Sequence, residues 1–335
     1  MKSIRFPGNA GIVRTVSAVV AALAACTVCA GVATAQTYPA QPVKIILGFG
    51  PGSGTDVIAR YVGEALGKRM NQSFVVENRA GASGNIGLAY GAKQPADGYT
   101  LVLGGLGVNA MNQFLFPPGS MGFDPEKDLD PLILVAKLPF LIAVGAKNPA
   151  NNLTDLINQA RAKPGAVDAA ITTTTSRMVM ELLNRSANVQ LFPVAYKTPA
   201  TAIVDIIAGR VALALETAAS LRPHVASNNL KPLALTSKAS SDVMPGVKSA
   251  AEQGLKDFEF VGWVSMYMPH GSPRAALNAM NAELNRILAL PETKKRFLEL
   301  GMEAGSGSPQ DMADFENSER KRWGPLIKAA GIKAD

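Results

Sequence analysis

Apolar residues recur along this chain in two rhythms that take turns. A β-branched apolar run at 43–49 ends on glycines and predicts a buried strand. Between 55 and 70, Val57, Ile58, Tyr61, Val62, Ala65, Leu66 and Met70 recur at spacings of three and four, which predicts a helix. A short strand at 74–77, a helix at 85–93 and a strand at 100–103 follow. This β-α-β-α-β opening predicts an α/β fold with a mostly parallel sheet and helices on its faces.

Two longer apolar stretches stand out further on. One covers 132–144 and is interrupted at Pro139; the other covers 258–268. Each is expected to be a strand crossing between two halves of the molecule. Between them the pattern predicts helices at 153–162, 177–187 and 201–208 and strands at 211–215 and 232–236. Helices at 273–290 and 291–301 begin on prolines, which suit a first helical turn. A final helix at 311–330 carries Trp323 and is expected to break near Pro325. The length exceeds one typical domain, so two lobes are expected.

The first 35 residues follow a different logic. Lys2, Arg5 and Arg14 form a basic leader without acidic residues, positions 16–32 are apolar, and Ala33-Thr34-Ala35 offers small residues for cleavage before Gln36. That order predicts a cleaved secretory signal peptide and a periplasmic protein. A membrane anchor is the first rival, but the apolar run is short of the ~20 residues a spanning helix needs. A lipoprotein is the second: Leu23-Ala24-Ala25-Cys26 resembles a lipidation box that would leave Cys26 acylated. Against it, the residues after Cys26 stay apolar where a tether calls for a polar spacer.

Processing changes the chemistry left in the chain. Both cysteines, Cys26 and Cys29, leave with the leader, so neither a disulfide nor a thiol nucleophile is expected. Removing the three leader charges from a net +7 leaves +4. No basic run is interleaved with aromatics, which argues against nucleic acid, whereas a mild positive balance suits an anionic ligand.

Candidate binding chemistry sits where strands give way to helices. Gly48-Phe49-Gly50-Pro51-Gly52-Ser53-Gly54-Thr55-Asp56 joins the first strand to the first helix. Glycines let backbone N–H groups approach a ligand, and a helix start favours an anion. Arg79-Ala80-Gly81-Ala82-Ser83-Gly84-Asn85 repeats the arrangement after the next strand. Two such loops at the carboxyl ends of neighbouring parallel strands open into one crevice. In the second half, Thr172-Thr173-Thr174-Thr175-Ser176 precedes a helix that opens with Arg177, offering hydroxyls and one cation as an opposing jaw. Each of these features also has a plain reading as a capped helix start.

Enzymatic readings fare poorly. A dinucleotide site would need G-x-G-x-x-G, but counting from Gly48 the third glycine position holds Ser53, and Pro51 interrupts the turn; Glu77 alone fits. His224 and His270 lack metal-ligand spacing, and no nucleophile elbow occurs. No enzyme, cofactor or metal is expected, and a monomer is.

The ordered motifs resemble a known family. Tyr38-Pro39, the loop from Gly48 to Asp56 with Ala59-Arg60, the run from Glu77 to Gly87, Pro95-Ala96-Asp97-Gly98-Tyr99-Thr100-Leu101, Val194-Ala195-Tyr196-Lys197-Thr198 and Leu233-Ala234-Leu235-Thr236-Ser237 resemble the Bug proteins. These are TctC-like extracytoplasmic solute receptors of tripartite tricarboxylate transporters. The resemblance implies a type II periplasmic-binding-protein fold: two α/β lobes, 36–138 with 262–335 and 139–261, joined by two crossover strands around a ligand cleft. It implies a small carboxylate ligand, a di- or tricarboxylate or an aromatic one such as a phthalate isomer, delivered to the transporter's membrane components. A sensing role, with the closed receptor docking a two-component sensor, is the alternative. It also implies that Phe49, Gly52, Ser53, Gly54, Thr55, Asp56, Ala82, Ser83, Gly84 and Asn85 hold one carboxylate. Thr173, Thr174, Thr175, Arg177, Tyr196 and Glu216 would read the rest. The sequence departs from the family pattern at Ser53, Ser83 and Thr198, which replace glycines, at Arg177, which replaces a histidine, and at Glu216, which stands where an aspartate is frequent. Arg177 is expected either to bind a second carboxylate or to pair with Glu216 and favour a less charged ligand.

Overall fold

A computed structural model describes residues 38–333 together with Ser3. The expected signal peptide and the lipidation box at Cys26 lie outside the described residues. The chain divides into Met1–Ala40 and a body of Gln41–Asp335, and the body is described here.

In chain order the body runs β1 (Val43–Leu47), α1 (Gly54–Met70), β2 (Phe74–Asn78), α2 (Asn85–Ala92), β3 (Thr100–Gly105), α3 (Asn112–Leu115), β4 (Leu129–Gly145) and α4 (Leu153–Ala162). It continues with β5 (Asp168–Ile171), α5 (Thr174–Ala187), β6 (Phe192–Ala195), α6 (Pro199–Ile207), β7 (Leu213–Thr217), α7 (Ala218–Ala226) and β8 (Leu230–Leu235). It ends with β9 (Val261–Pro269), α8 (Arg274–Ala289), α9 (Pro291–Glu299), β10 (Glu303–Ala304) and α10 (Pro309–Ala330). Among the described residues no helix is long and apolar enough to cross a membrane.

The strands form one mixed sheet in the order β2-β1-β3-β9-β4-β7-β5-β6, with β8 and β10 also pairing β4. Two groups within it are parallel: β2-β1-β3 and β7-β5-β6. Between them β9 and β4 run antiparallel to their neighbours. The expected mostly parallel sheet therefore holds at either end but not at the centre. There two long strands pass through the molecule instead of returning through a helix.

β4 hands over its partners midway. It pairs β9 as far as Pro139↔Val261, then pairs β7 from Phe140↔Thr217 and β8 from Leu141↔Leu235. Pro139, expected to interrupt this stretch, sits at the handover. A residue without an N–H disturbs least where one ladder ends and the next begins. Thr236 fastens the same spot. Its Oγ1 accepts from Phe140 N at 3.0 Å and donates toward Phe260 O at 2.6 Å, while its own N–H reaches Phe140 O at 3.0 Å.

The C-terminal helix corrects a second expectation. α10 runs through Pro325 without a break. Trp323 is fully buried, and Gly324 lies so close to Phe114 that a Cβ would stand 2.8 Å from its ring. Packing on that face outweighs the one hydrogen bond the proline removes. The strands β5 and β6 and the helix α7 carry no pattern strong enough to have been predicted. The first two have only four residues each, and the helix contains Pro223.

Candidate functional site

The first glycine loop is held from beneath by Asp56. Ser53 caps α1, its Oγ accepting from Asp56 N at 3.2 Å. The Asp56 carboxylate accepts from Gly52 N at 2.9 Å, Arg60 Nε at 3.0 Å and Asn78 Nδ2 at 2.8 Å. Asn78 also donates to Phe49 O at 3.0 Å. The Arg60 guanidinium foremost, with the Gly52 and Asn78 donors, holds the carboxyl down at about 2 against the cost of burial. Asp56 is only 3% exposed, and its oxygens are spent on the loop itself.

The second loop is pressed onto the first, backbone against backbone. A Cβ at Gly87 would lie 2.4 Å from Gly48 Cα, and one at Gly48 would lie 2.3 Å from Gly84 O. Only glycine permits that approach. Ala82, Ser83 and Gly84 all have positive φ, at 46°, 52° and 96°. Two consecutive non-glycine residues in the left-handed region store strain of about 1 kcal/mol or more each, and they do so at the candidate site. Asn85 is buried, and its Oδ1 accepts from Asn112 Nδ2 at 2.8 Å. The amide nitrogens of Asn85 and of Asn109, both buried, have no partner among the described residues.

The second half supplies the N-terminus of α5. Thr173 is its N-cap and exchanges a capping box with Ser176: Ser176 N donates to Thr173 Oγ1 at 3.1 Å and Thr173 N donates to Ser176 Oγ at 3.1 Å. The helix therefore starts three residues before the expected 177, and Thr174 and Thr175 lie in its first turn. Thr172 Oγ1 donates to Glu216. Glu216 is 9% exposed, and burial raises its carboxyl above the ordinary range, offset in part by Thr172 and the Thr217 N–H.

A cavity of about 180 Å³ brings the two halves together. Phe49 and Thr55 reach it from the first loop, Thr175 and Thr217 from the second half. Its walls come from the crossing strands and from the turn after β3: Leu138, Phe140, Trp263 and Val264 with Leu106 and Val108. Among the described residues no ionisable side chain lines it. The volume lies below the ~300–1,000 Å³ of drug-sized sites and suits a small organic molecule.

The receptor family of tripartite tricarboxylate transporters matches residues 58–332. The chain belongs to that family. A Pseudomonas sp. (strain P51) relative, a UPF0065 protein from the tcbD-tcbE intergenic region, is 32% identical over 322 residues, covering 92% of this chain and 95% of its own. Protein BugT of Bordetella pertussis is 32% identical over 303 residues, covering 90% and 92%. Among solved structures, R. palustris Rpa4515 with adipate superposes with a TM-score of 0.78 at 32% identity, covering 88% of this chain and 99% of the other. The periplasmic binding protein BugD does so at 0.73 and 26% identity, covering 89% and 100%. The fold is thus the α/β type II periplasmic-binding-protein fold, and the chain is a TctC-like solute-binding receptor of the Bug family and not an enzyme.

Within this receptor the expected site residues separate into groups. Phe49, Thr55 and Thr175 line the cavity. Gly52, Ser53, Gly54 and Asp56 shape the first loop, and Ala82, Ser83, Gly84 and Asn85 shape the second. Thr173, Thr174, Arg177 and Tyr196 instead line a separate pocket of about 360 Å³ together with the C-terminal residues from Ala330 to Lys333. Arg177 does not pair with Glu216: its Nε donates to Glu181 Oε1 at 2.8 Å, one helical turn along. Tyr196 gives its hydroxyl to Asp205 at 2.7 Å. His270 bonds Asp130 at 2.8 Å.

The cavity residues that sequence reasoning missed are Gly104 to Val108, Leu138, Phe140, Thr217 and Gly262 to Val264. One signal was available for the first of them. Gly104-Gly105-Leu106-Gly107 is a third glycine cluster at the carboxyl end of a strand, and a Cβ at Gly105 would stand 2.4 Å from Trp263 O.

Proposed function

We propose that this receptor captures a small carboxylate outside the cytoplasm, a di- or tricarboxylate or an aromatic acid, and delivers it to the membrane components of a tripartite tricarboxylate transporter. The single observation that supports the reading is the first glycine loop, packed against the second, reaching the cavity through Phe49 and through Thr55 in the first turn of α1, since a helix N-terminus favours anions. The relative solved with adipate, 32% identical, supports a carboxylate.

The capture mechanism follows from the shared strands. Lobe 1 comprises 36–138 and 262–335, lobe 2 comprises 139–261, and they close on the ligand as a population shift favoured by contacts made only when closed. The handover of β4 at Pro139–Phe140 and the start of β9 at Val261 support these boundaries. The leader directs export, with cleavage after Ala35.

A thermal-shift screen of mono-, di- and tricarboxylates on the purified protein tests the ligand class, because a ligand at 100 times its Kd adds about 2.7 kcal/mol of stability. A rise in Tm with at least one carboxylate, and none with its amide, is the expected outcome. A flat response across all three classes refutes the reading. Mass spectrometry of the exported protein tests the leader: an N-terminus at Gln36 is expected, and an acylated Cys26 refutes the cleavage site.

A further inference from the structure

The cavity walls say more about the ligand than its mouth does. Between the first loop and the threonines of the second half, every side chain on the wall is a hydrocarbon or an aromatic ring. Among the described residues the only side-chain hydroxyls on the lining are Thr55, Thr175 and Thr217. Arg177, the cation expected to meet a second carboxylate, is bound to Glu181 and lines the other pocket.

Trp263 is the decisive wall residue. It is 3% exposed, and its indole N–H donates to Glu319 Oε2 at 3.0 Å. The same oxygen accepts from Trp323 Nε1 at 3.0 Å. The one polar atom of Trp263 is thereby engaged by α10, and the ring offers the cavity hydrocarbon alone. Phe315 braces the ring edge-on at 5.6 Å. Phe140 rests on Phe260 at 5.1 Å, and Phe260 on Trp323 at 5.0 Å. One buried carboxylate on the C-terminal helix therefore fixes both tryptophans behind an aromatic wall.

Resting on the carboxylate reading above, we infer that the cleft selects acids with an apolar body, a polymethylene chain or an aromatic ring, over hydroxylated acids of the same size and charge, and that Glu319 is a positioning residue that enforces this through Trp263. A hydroxyl carried into this cavity gives up its water and meets few partners. A methylene or ring edge there gains by leaving water.

Calorimetry with matched pairs tests this: adipate against galactarate, its tetrahydroxy counterpart, and benzoate against 3,4-dihydroxybenzoate. In the unaltered protein the apolar member of a pair binds at least tenfold tighter. Equal or tighter binding of the hydroxylated members overturns the inference and leaves the carboxylate reading standing. Adipamide binding as tightly as adipate overturns the carboxylate reading and with it the inference, whereas silence from all four acids overturns the inference alone. Trp263→Ala is expected to shrink the ratio below threefold. Glu319→Ala should do the same and shift tryptophan emission, whereas Glu319→Gln, which keeps an acceptor, retains the ratio. Should Trp263→Ala fail to fold, Trp263→Phe keeps a ring and is expected to keep the preference. Selectivity unchanged in Glu319→Ala refutes the positioning role.

Discussion

Asp56 and Glu216 are both buried carboxylates, and each is the chain neighbour of a threonine that lines the cavity, Thr55 on one side and Thr217 on the other. Their surroundings are opposite. Asp56 is ringed by an arginine, an asparagine and a backbone N–H, and stays ionised down to about pH 2. Glu216 has one threonine hydroxyl and one N–H, and burial favours its protonated form. A site meant for an anion must keep nearby negative charge from repelling it. One side does so by neutralising a carboxylate, the other by discouraging its ionisation.

Removing Asp56 gives the largest expected effect. Asp56→Ala deletes three hydrogen bonds to a charged acceptor and costs about 3 kcal/mol or more in a urea unfolding titration, with ligand capture lost because the first loop is no longer held. A variant with full stability and no binding would break the comparison, since Asp56 would then be a ligand contact. The sign in acid follows from its lowered value. The stability Asp56 contributes is complete above its ordinary 3.8 and is lost as the pH falls toward about 2.

Glu216 moves the other way. Its folded value is raised above the ordinary 4.5, so the folded protein holds more protons than the unfolded chain just above that pH, and stability falls as pH rises through the window. Glu216→Gln keeps an acceptor for Thr172 and cannot ionise. It is expected to raise Tm at pH 7 by roughly 2 °C and to flatten the fall in stability above the ordinary 4.5 in differential scanning calorimetry. An unchanged profile would remove Glu216 from the comparison.

The smallest effect concerns the backbone. In the loop packed against the Asp56 side Ser83 has φ 52°, whereas at the start of α5 Thr173 has φ −148° and an ordinary extended geometry. Ser83→Gly is expected to raise stability by about 0.5 kcal/mol, and Thr173→Gly to lower it by a few tenths as the cap is lost. Matched thermal melts of the two variants sharpen the contrast; a loss on Ser83→Gly would contradict it.

These asymmetries also mark what was legible in the sequence. Glycine loops announce themselves because Gly48, Gly84 and Gly87 are needed for their missing side chains, and a missing side chain is visible in any sequence. Phe140 and Trp263 are not legible as wall residues. In one dimension they belong to apolar strands and look like core, and only the handover of β4 exposes their edges to a cavity. Arg177 and Tyr196 sit at strand–helix junctions like the true lining. Their partners are Glu181, one turn along α5, and Asp205 on the following helix α6, and pairing with them competes with any ligand. The start of α5 was misplaced because four threonines in a row suggest a strand, while the box between Thr173 and Ser176 commits the chain to a helix.

The order of the central strands has a consequence for how this molecule comes into being. The parallel group β2-β1-β3 is complete once Gly105 has been synthesised, yet the partner of β3 in the finished sheet is β9, which begins at Val261. Throughout the interval β3 keeps an open edge, and the first loops stand over a cavity whose Trp263 wall does not yet exist. The cavity is therefore among the last parts to be finished. Its formation waits on pairing between segments far apart in the chain, the slowest kind of contact to make, and until that pairing occurs the exposed edge is the nascent chain's most vulnerable point for pairing with a neighbour.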